Sequence, residues 1–519
     1  MTENRRPARA TRNARQAVAA SASAIAIRPA AGRRILLVDL NNFASFPTLA
    51  IGLIVAALRN RGHEVQVICP LAHDVPAAQR ERQETMADHL KRRVHLSDWQ
   101  PFLGLRDGLR RLRHWSDEKP HPVVLREVGR ALDGRPDIVL LSAYLQHYNS
   151  VREIGRLAAA RGTPVLLGGP MFNVAGVADA WCDLPGIAGV VGAEADLSVP
   201  DIVEAVCDRG DLTRFPGVTL PGGTRSEAAR PLRNLDSTPL PDFTDFPWDR
   251  YPVRIMPLMT GRGCQWDKCV FCSDVVSVSG RTFRTRSVDS VLLEMQEQAR
   301  RHTTASFLFL DLKLNSYPDM IRGIAEGIGR YVQGAEWIGT VHVDQRRDNG
   351  LSRRDLQAAV AGGMRRVSFG LESGSQRLLD LMNKGSSVEG NSEFIRNAHE
   401  AGLSIRCTMF KGFPGETAED MEATADFLEA HSPYLDRVRF NDFSLLHDTP
   451  IFKAVMEHGG AMNTLTVRAL HDRRARAEYR NPAMAGRGYR RAKARALAAV
   501  YGINRRPLRD AARQFDGLM

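Results

Sequence analysis

Three of the seven cysteines in this 519-residue chain lie within nine residues, at Cys264, Cys269 and Cys272 in the stretch CQWDKCVFC. Cysteines grouped in this way are typical of a metal site. A structural zinc ion takes four protein ligands, but no second cysteine pair completes this set, because Cys407 stands alone far downstream. A four-iron cluster held by three thiolates leaves one iron open to an outside ligand. The spacing therefore favours an iron–sulfur cluster and leaves zinc as the alternative.

The cysteines follow the first of several strand-like apolar runs in the second half of the chain. Helical patterns such as SVDSVLLEMQEQARRH (287–302) and AEDMEATADFLEAH (418–431) separate these runs. The six runs cover residues 256–260, 306–311, 336–344, 365–370, 404–410 and 436–441. Such a series predicts a partial or full TIM-like (β/α) barrel, with its site at the carboxyl ends of the strands. The cysteines are expected at that end.

The first half of the chain also alternates strand-like and helical patterns. The strand-like runs are RILLVDL (34–40), EVQVICP (64–70), PDIVLLSAY (136–144), TPVLLGGP (163–170) and IAGVVGAEAD (187–196). This alternation predicts a Rossmann-like, doubly wound parallel sheet. Ligands of such sheets bind beyond the carboxyl ends of the strands, where glycines let a large ligand approach the backbone closely.

Proline, glycine, aspartate and threonine are frequent between the two halves, which is typical of a domain linker. We therefore predict α/β architecture with five segments. These are a disordered basic arm at 1–32, a Rossmann-like domain at 33–210 with a charged helical insertion at 75–132, a linker at 211–255, a barrel at 256–452 and a helical basic segment at 453–519.

The cysteine stretch, with an aromatic residue directly before its last cysteine, resembles that of radical S-adenosylmethionine (radical SAM) enzymes. The first interval of this Cys-x4-Cys-x2-Cys motif is one residue longer than usual. The stretches FLFLDLKLNS (307–316), VSFGLESGSQRLLDLMNKG (367–385) and FKGFPGETAED (410–420) are similar, in that order, to the barrel of the cobalamin-dependent branch of this family.

The resemblance implies a four-iron four-sulfur cluster on the three cysteines, with S-adenosylmethionine bound to the open iron. One electron from the cluster would then cleave S-adenosylmethionine to a 5′-deoxyadenosyl radical. The residues that the resemblance places around S-adenosylmethionine are Phe271, Asp311, Ser368, Glu372, Ser373, Gly412 and Gly415.

Members of this family usually carry an amino-terminal cobalamin-binding domain, and LGGP (167–170) and GAEAD (192–196) are similar to it. The implied cobalamin contacts are Ser142, Gly168, Gly169, Pro170, Gly192 and Glu194. The region after the first strand, VDLNNFAS (38–45), lacks the histidine that ligates cobalt from below in some domains. It also lacks the Gly-x-Gly-x-x-Gly motif of dinucleotide-binding folds.

The resemblance implies an enzyme that methylates an unactivated carbon of a metabolite, natural product or peptide. A cyclase or rearrangement enzyme with the same cofactors is the alternative. The implied redox partner is an electron donor such as flavodoxin or ferredoxin.

The net charge of +12 raises a third alternative, a nucleic-acid-associated protein. The basicity lies at the ends, however: residues 1–34 hold eight Arg and one acidic residue, and residues 468–513 hold fourteen Arg or Lys and three acidic residues. The tail has no recognisable nucleic-acid-binding module, so we expect no such partner. No apolar run approaches the length of a bilayer span, and the amino terminus lacks a secretory signal pattern. We therefore expect a cytoplasmic protein without a membrane partner.

Overall fold

The computed structural model of the chain describes residues 32–77, 82–278, 280, 282–457 and 465–518. The predicted basic arm lies outside these residues except for Gly32. Two six-stranded sheets, one from each half of the chain, form the framework. This arrangement confirms the predicted α/β fold class.

The first sheet has five parallel strands and a short antiparallel edge strand. In spatial order the strands are β2 (Glu64–Ile68), β1 (Arg34–Asp39), β3 (Ile138–Ser142), β4 (Val165–Gly168), β5 (Ile187–Val191) and β6 (Val218–Thr219). Residues 35–39 are all buried, as expected for a parallel strand covered by helices on both faces. Strand β6 lies in the segment predicted as a linker, so part of that segment belongs to the first sheet.

The helices described in this half of the chain are α1 (Leu49–Asn60), α2 (Met86–His95), α3 (Gln100–Asp117), α4 (Pro122–Asp133), α5 (Tyr148–Ala159), α6 (Ala175–Cys182) and α7 (Val199–Cys207). Helix α4 buries Val124, Val128 and Leu132. It is an ordinary connection between β2 and β3, although it falls within the predicted insertion. The additional structure is therefore the pair α2 and α3.

The second sheet is entirely parallel. In spatial order its strands are β14 (Arg437–Asp442), β13 (Ser404–Lys411), β12 (Met364–Glu372), β11 (Glu336–Val341), β10 (Ser306–Phe309) and β7 (Ile255–Leu258). Each coincides with one of the six predicted runs. No pairing joins β14 to β7 among the described strands, so the sheet is a partial barrel.

Helices connect these strands on the outside of the barrel. They are α8 (Val288–His302), α9 (Pro318–Gly327), α10 (Arg353–Ala361), α11 (Gln376–Leu381), α12 (Val388–Glu400) and α13 (Ala418–His431). Thr417 and Asp420 form a reciprocal capping box at the start of α13, which fixes the helix directly after the GFPGE loop.

The carboxyl-terminal segment contains a β-hairpin as well as the predicted helices. Strands β15 (Leu445–Leu446), β17 (Arg476–Arg480) and β16 (Thr466–His471) form an antiparallel sheet. Helix α14 (Pro450–Glu457) precedes this hairpin, and α15 (Arg487–Asn504) follows it and packs on α13. Arginines at many hairpin positions weaken the alternating apolar pattern, so the sequence did not indicate strands there.

The end of the chain closes the amino end of the barrel. Phe515 and Leu518 pack with Ile255 and Leu308 in one apolar cluster. Arg366, fully buried at the start of β12, donates from Nη1 to the Phe515 carbonyl at 3.1 Å. The carboxyl ends of the strands are thus left for the site. Within the described part of the chain, no helix combines the length and the hydropathy needed to cross a bilayer.

Candidate active site at the carboxyl ends of both sheets

The three predicted ligand cysteines lie in one loop, residues 263–278, which we call the cysteine loop. It runs between the short antiparallel strands β8 (Gly261–Arg262) and β9 (Arg284–Thr285), beyond the carboxyl end of β7. Cys264, Cys269 and Cys272 are free thiols of intermediate exposure. The loop therefore presents all three sulfur atoms at the predicted end of the barrel.

The cysteine loop is anchored to the turn that follows α11. The Val270 amide donates to the Met382 carbonyl at 3.1 Å, and Trp266 Nε1 donates to the Asn383 carbonyl at 2.8 Å. Trp266 lies in the first interval of the cysteine motif, the one that is longer than usual. The longer interval thus carries a side chain that ties the loop to the barrel.

Lys384 is a buried cation beside the cysteines. Its Nζ lies 3.1 Å from Glu372 Oε1 and 5.9 Å from the centre of the Phe271 ring. Burial raises the pKa of the Cys269 and Cys272 thiols, and the positive charge of Lys384 opposes that rise at both. Lys384 therefore favours the thiolate form that binds metal.

A second lysine acts on the remaining cysteine. Lys313 forms an ion pair with Asp344, and both side chains are fully buried. Burial raises the pKa of the Cys264 thiol, and the charge of Lys313 opposes that rise. Two buried lysines, each paired with a carboxylate, thus oppose the effect of burial on the three thiols.

No three His, Cys, Asp or Glu side chains of the described residues are grouped so that they could hold a metal ion. The three thiolates of a site-differentiated cluster bind three different irons, so they need not converge on one point. The described loop also lacks a fourth cysteine, which a structural zinc site of this type would use. The donor set fits an iron–sulfur cluster better than it fits a single zinc ion.

Asp311 holds the strand end that leads into the cysteine loop. Its carboxylate accepts hydrogen bonds from the Thr260 hydroxyl (2.6 Å), the Thr260 amide (3.1 Å) and the Gly261 amide (2.8 Å). Burial raises the pKa of Asp311 to about 6, against the lowering effect of these bonds. The structure therefore shows Asp311 positioning the loop, while its predicted contact with S-adenosylmethionine stays a prediction.

Three further predicted contacts lie on β12 or directly after it. Glu372, at φ 59°, forms an ion pair with Lys384, and its negative charge raises the pKa of the Cys269 thiol. Ser373 instead bonds to Thr424 on the outer helix α13, with 3.0 Å between the hydroxyl oxygens. Ser368 is buried, and its hydroxyl has no partner among the described residues. The structure thus brings Glu372, but not the Ser373 hydroxyl, together with the cysteines.

The remaining predicted contacts form an apolar wall and the loop after β13. The Phe271 ring packs edge-on against Phe410, with 5.3 Å between ring centres, and both contact the apolar cluster around Phe413. Gly412 and Gly415 have φ values of 86° and 84°, which glycine adopts without strain. The loop conformation therefore requires glycine at both positions.

The carboxyl-terminal segment fixes this glycine loop. Glu416 accepts hydrogen bonds from the Gly412 amide and from the Tyr489 hydroxyl, the latter at 3.2 Å. The Tyr479 hydroxyl donates to the Gly412 carbonyl at 2.9 Å. Both tyrosines lie in the carboxyl-terminal segment, for which the sequence indicated no role. This segment therefore forms a wall of the site that the sequence did not predict.

His342 is a further site residue that sequence reasoning missed. It directly follows β11, its side chain is buried, and its Nε2 has no partner among the described residues. Burial places the pKa of His342 well below its ordinary value, and the charges of Lys384 and Lys313 lower it further. The imidazole is therefore neutral. The sequence position of Lys313 and His342 could have indicated both as site residues, because each lies just beyond a barrel strand.

The carboxyl edge of the first sheet brings the predicted cobalamin contacts together. Ser142 and Gly168 end β3 and β4 and are paired in register. Gly169 and Gly192 begin the next loops, and a Cβ on either glycine would collide with backbone atoms of a neighbouring loop. Close packing between loops thus explains these two glycines without a ligand.

Glu194 and Pro170 link this edge to the cysteine loop and its flanking strands. The Glu194 carboxylate accepts from Arg284 on β9 at 2.6 Å and from the Leu232 amide at 2.7 Å. The Pro170 carbonyl accepts from the Val278 amide at 3.0 Å. These contacts place the carboxyl edges of the two sheets against each other.

A second ion pair strengthens this contact. Arg262 on β8 donates to both carboxylate oxygens of Asp196, at 2.6 and 2.7 Å. Arg262 and Arg284 belong to the two short strands that carry the cysteine loop, so the same hairpin presents the cysteines and binds the first sheet.

The loop after β1 contains two orphaned polar atoms. The Oδ1 atoms of Asn41 and Asn42 are buried and have no hydrogen-bond partner among the described residues. Buried polar atoms normally have partners, and an exception calls for a ligand, a water or an ion. This loop is the region where the sequence lacks the cobalt-ligating histidine.

Residues 258–428 match the family model of the radical SAM superfamily. Among curated proteins, an uncharacterized methyltransferase of Pyrococcus horikoshii is 28% identical over 300 residues, 56% of this chain and 64% of that protein. An anaerobic magnesium-protoporphyrin IX monomethyl ester cyclase of Rubrivivax gelatinosus is 27% identical over 47% of this chain and 44% of that protein. The matched region thus spans less than two thirds of each of these relatives.

Two solved structures share the fold over most of this chain. The radical S-adenosylmethionine methyltransferase TsrM from Kitasatospora setae, with tryptophan substrate and a SAM analogue bound, superposes with a TM-score of 0.63 at 17% identity over 90% of this chain and 89% of that chain. The cobalamin-dependent S-adenosylmethionine radical enzyme OxsB, with aqua-cobalamin and S-adenosylmethionine bound, gives 0.64 at 15% identity over 86% of this chain and 64% of that chain. Residues 258–428 therefore match the radical SAM superfamily, and the chain has the fold of these two solved structures.

Proposed function

We propose that this protein is a radical SAM enzyme that binds a four-iron four-sulfur cluster, S-adenosylmethionine and cobalamin, and that it methylates an unactivated carbon. The observation that carries the proposal is the contact between the cysteine loop and the carboxyl edge of the Rossmann-like sheet. A cluster on the cysteines and a corrin at that edge would therefore lie close to each other. The substrate class, a metabolite, natural product or peptide, rests on the family resemblance alone.

The residues of the cysteine loop suit the cluster. Cys264, Cys269 and Cys272 supply three soft thiolate ligands, which select iron–sulfur clusters over hard cations. Lys313 and Lys384 supply positive charge beside an anionic group. Asp311 holds the strand end that leads into the loop, and Trp266 ties the loop to the turn after α11. The chain thus positions the ligands, and the two lysines oppose the effect of burial on the thiols.

The surroundings of the cysteines also suit S-adenosylmethionine. Lys384 and Glu372 offer partners for a carboxylate and an amine, respectively. The neutral His342 has a free Nε2 among the described residues, and the Phe271–Phe410 wall excludes water on the apolar side. The glycine loop at 412–415 would lie along the adenine, as the resemblance predicts.

The carboxyl edge of the first sheet suits a large polar ligand. The unpartnered amide oxygens of Asn41 and Asn42 could accept hydrogen bonds from such a ligand. The loop between β1 and α1 contains no histidine, so cobalamin bound here would not be histidine-ligated from this loop. Glu194 would affect such a ligand through Arg284, because its carboxylate accepts hydrogen bonds from that side chain.

When bound, the cofactors supply electron transfer, radical hydrogen abstraction and methyl transfer, for which side chains have no equivalent. The chain supplies orientation and, through Phe271 and Phe410, an apolar wall on one side of the site. An electron donor such as flavodoxin or ferredoxin would deliver the reducing electron.

Anaerobic purification of the full chain tests this proposal. We expect about four irons per chain, corrin absorbance after incubation with hydroxocobalamin, and 5′-deoxyadenosine when dithionite and S-adenosylmethionine are added. Cys269→Ala should lose the iron and the 5′-deoxyadenosine, whereas the matched control Cys207→Ala, on helix α7, should keep both. Zinc without iron would sink the radical SAM assignment, and iron without corrin uptake would sink its cobalamin half.

The cyclase relative makes ring closure the second candidate reaction. Methyl-labelled S-adenosylmethionine separates the two outcomes once a substrate is available. Label in the product supports methyl transfer, and label that stays in methionine supports cyclisation or rearrangement.

A further inference from the structure

Helices α2 and α3 turn large apolar side chains toward solvent. On α2, Met86, Leu90 and Val94 are 55%, 53% and 45% exposed, and their spacing of four residues places them on one face. On α3, the exposed residues are Leu105 (59%), Leu109 (49%), Leu112 (60%) and Trp115 (59%). Together with Trp99, which is 54% exposed before α3, we call these eight side chains the apolar ridge.

The opposite faces of both helices are mostly polar and face the protein. On α2 the buried side chain is His89, and Arg92 pairs with the buried Glu84 at 2.7 Å. On α3, Arg110 pairs with Asp442 at 2.5 Å, and its side chain is 23% exposed. A surface helix normally buries its apolar face, so the orientation of these helices is reversed. Such an exposed apolar surface marks an interaction site.

We propose that the apolar ridge docks on an anionic lipid bilayer. The exposed charged side chains of the two helices are four cations and one carboxylate: Lys91, Arg93, Arg111, Arg113 and Asp117. An apolar face flanked by Lys and Arg is the pattern of helices that lie in the membrane interface. Trp99 and Trp115 lie at the two ends of α3, and tryptophan is enriched at the same interface.

Charge favours this occupant over segments of the protein itself. Residues 1–34 hold eight Arg and one acidic residue, so the amino-terminal arm would meet the ridge with like charge. A second copy would place the same cationic patch opposite itself, because a two-fold interface is self-complementary. An anionic lipid surface causes neither of these like-charge repulsions. The bilayer can also bury the apolar side chains.

The location of the ridge connects it to the site. The Arg110–Asp442 pair holds α3 at the carboxyl end of β14, beside the mouth of the barrel. Docking would therefore bring that mouth close to the lipid surface. The expectation of no membrane partner rested on the absence of a spanning run, and an interfacial helix pair needs no such run.

Flotation of the full chain with vesicles tests the proposal. Vesicles of phosphatidylglycerol and phosphatidylcholine should bind the protein, and vesicles of phosphatidylcholine alone should bind it at least tenfold more weakly. The triple variant Leu105→Gln, Leu109→Gln, Leu112→Gln should lose at least tenfold in binding to the anionic vesicles. The control Leu197→Gln, Met456→Gln, Leu470→Gln changes three other exposed apolar side chains and should bind like the parent.

A second variant tests the cations that flank the apolar ridge. Arg111→Gln with Arg113→Gln should weaken binding to anionic vesicles and reduce its salt dependence. Far-UV circular dichroism and the thermal midpoint verify that each variant is folded, which is expected because the replaced side chains are exposed.

Three results would overturn the proposal. Equal binding of parent and leucine variant to the anionic vesicles would assign binding to another basic segment. A dimer that the leucine variant abolishes, without vesicle binding by the parent, would make the ridge an interface between copies. Retention of an acidic protein through the ridge, again without vesicle binding, would make it a protein-docking surface.

Discussion

Glu416 is an acidic side chain that the fold buries at 2% exposure between the glycine loop and α15. Burial raises its pKa to about 7, although the Gly412 amide, Lys411 and Tyr489 all lower it. The carboxyl group is therefore protonated in the folded protein at pH values where the unfolded chain has ionised it. Its contribution to stability is complete below the unfolded pKa of about 4.5 and is lost as pH rises through 7.

We predict that Glu416→Gln reduces the loss of folding stability that the parent protein shows between pH 5 and pH 8. A glutamine oxygen can still accept from the Gly412 amide and the Tyr489 hydroxyl, but it has no proton to lose. The shift corresponds to roughly 3 kcal/mol between the two ends of this range. Thermal unfolding in steps of one pH unit measures the difference between variant and parent.

The control for this prediction is Glu419→Gln, an exposed position in the first turn of the same helix. It should follow the parent at every pH within about 0.5 kcal/mol. Parallel curves for Glu416→Gln and the parent would show that the buried carboxyl does not titrate in this range.

At the residue scale the sequence indicated ligand types better than it indicated contacts. The three cysteines were predicted as one group and the structure presents them in one loop. Asp311 and Ser373 were predicted to contact S-adenosylmethionine, and in the structure their side chains bond to Thr260 and Thr424. Which way a strand-end side chain turns depends on neighbours distant in sequence, and a single sequence does not show them.

At the scale of elements, Asp98 is the residue that fastens the α2–α3 pair to the barrel. Its carboxylate lies 2.9 Å from Lys411 Nζ at the end of β13 and also pairs with Lys493 on α15. Its side chain is 7% exposed, that of Lys411 1% and that of Lys493 7%. One carboxylate therefore joins three elements that are far apart in the chain.

We predict that Asp98→Asn loosens α2 and α3 while the barrel stays folded. Removing one partner from a buried ion pair leaves an uncompensated charge and costs about 3–5 kcal/mol. Hydrogen–deuterium exchange should rise over residues 86–117 and stay unchanged over β10 to β12. The control Asp107→Asn removes a more exposed carboxylate on α3 that pairs with Arg106, and it should leave exchange unchanged. Equal exchange in both variants would contradict the anchoring role of Asp98.

The strands of both sheets were predictable because each is a short apolar run bounded by turn residues. The α2–α3 pair was predicted only as a helical insertion, because its reversed orientation follows from ion pairs with Glu84, Asp98 and Asp442. The hairpin at 466–480 was not predicted, since five arginines within these residues weaken its apolar alternation. The Arg110–Asp442 pair joins residues far apart in the chain, and local periodicity carries no record of such a contact.

At the scale of the whole molecule, the cofactors proposed here work together only if the two sheets keep their relative position. The hairpin β8–β9 helps to hold the sheets together, because it bears the cysteine loop and also binds Glu194 and Asp196. The Glu194 side chain is 3% exposed and that of Arg284 is 11% exposed. A pair so shielded from water is weakened little by salt.

We predict that Arg262→Gln with Arg284→Gln loosens the contact between the carboxyl edges of the two sheets without unfolding either sheet. The substitutions leave Glu194 and Asp196 without their guanidinium partners, at a cost on the order of 3 kcal/mol for each buried carboxylate. Small-angle X-ray scattering should show a larger radius of gyration, and protease should cut faster within residues 211–255. Iron content should stay at the parent level, because neither arginine touches the cysteines. The control Arg300→Gln, which removes an exposed pair with Glu297 on α8, should leave scattering and cleavage unchanged. Scattering identical to the parent in the double variant would show that other contacts, such as Val278 with Pro170, suffice to hold the cluster site against the first sheet.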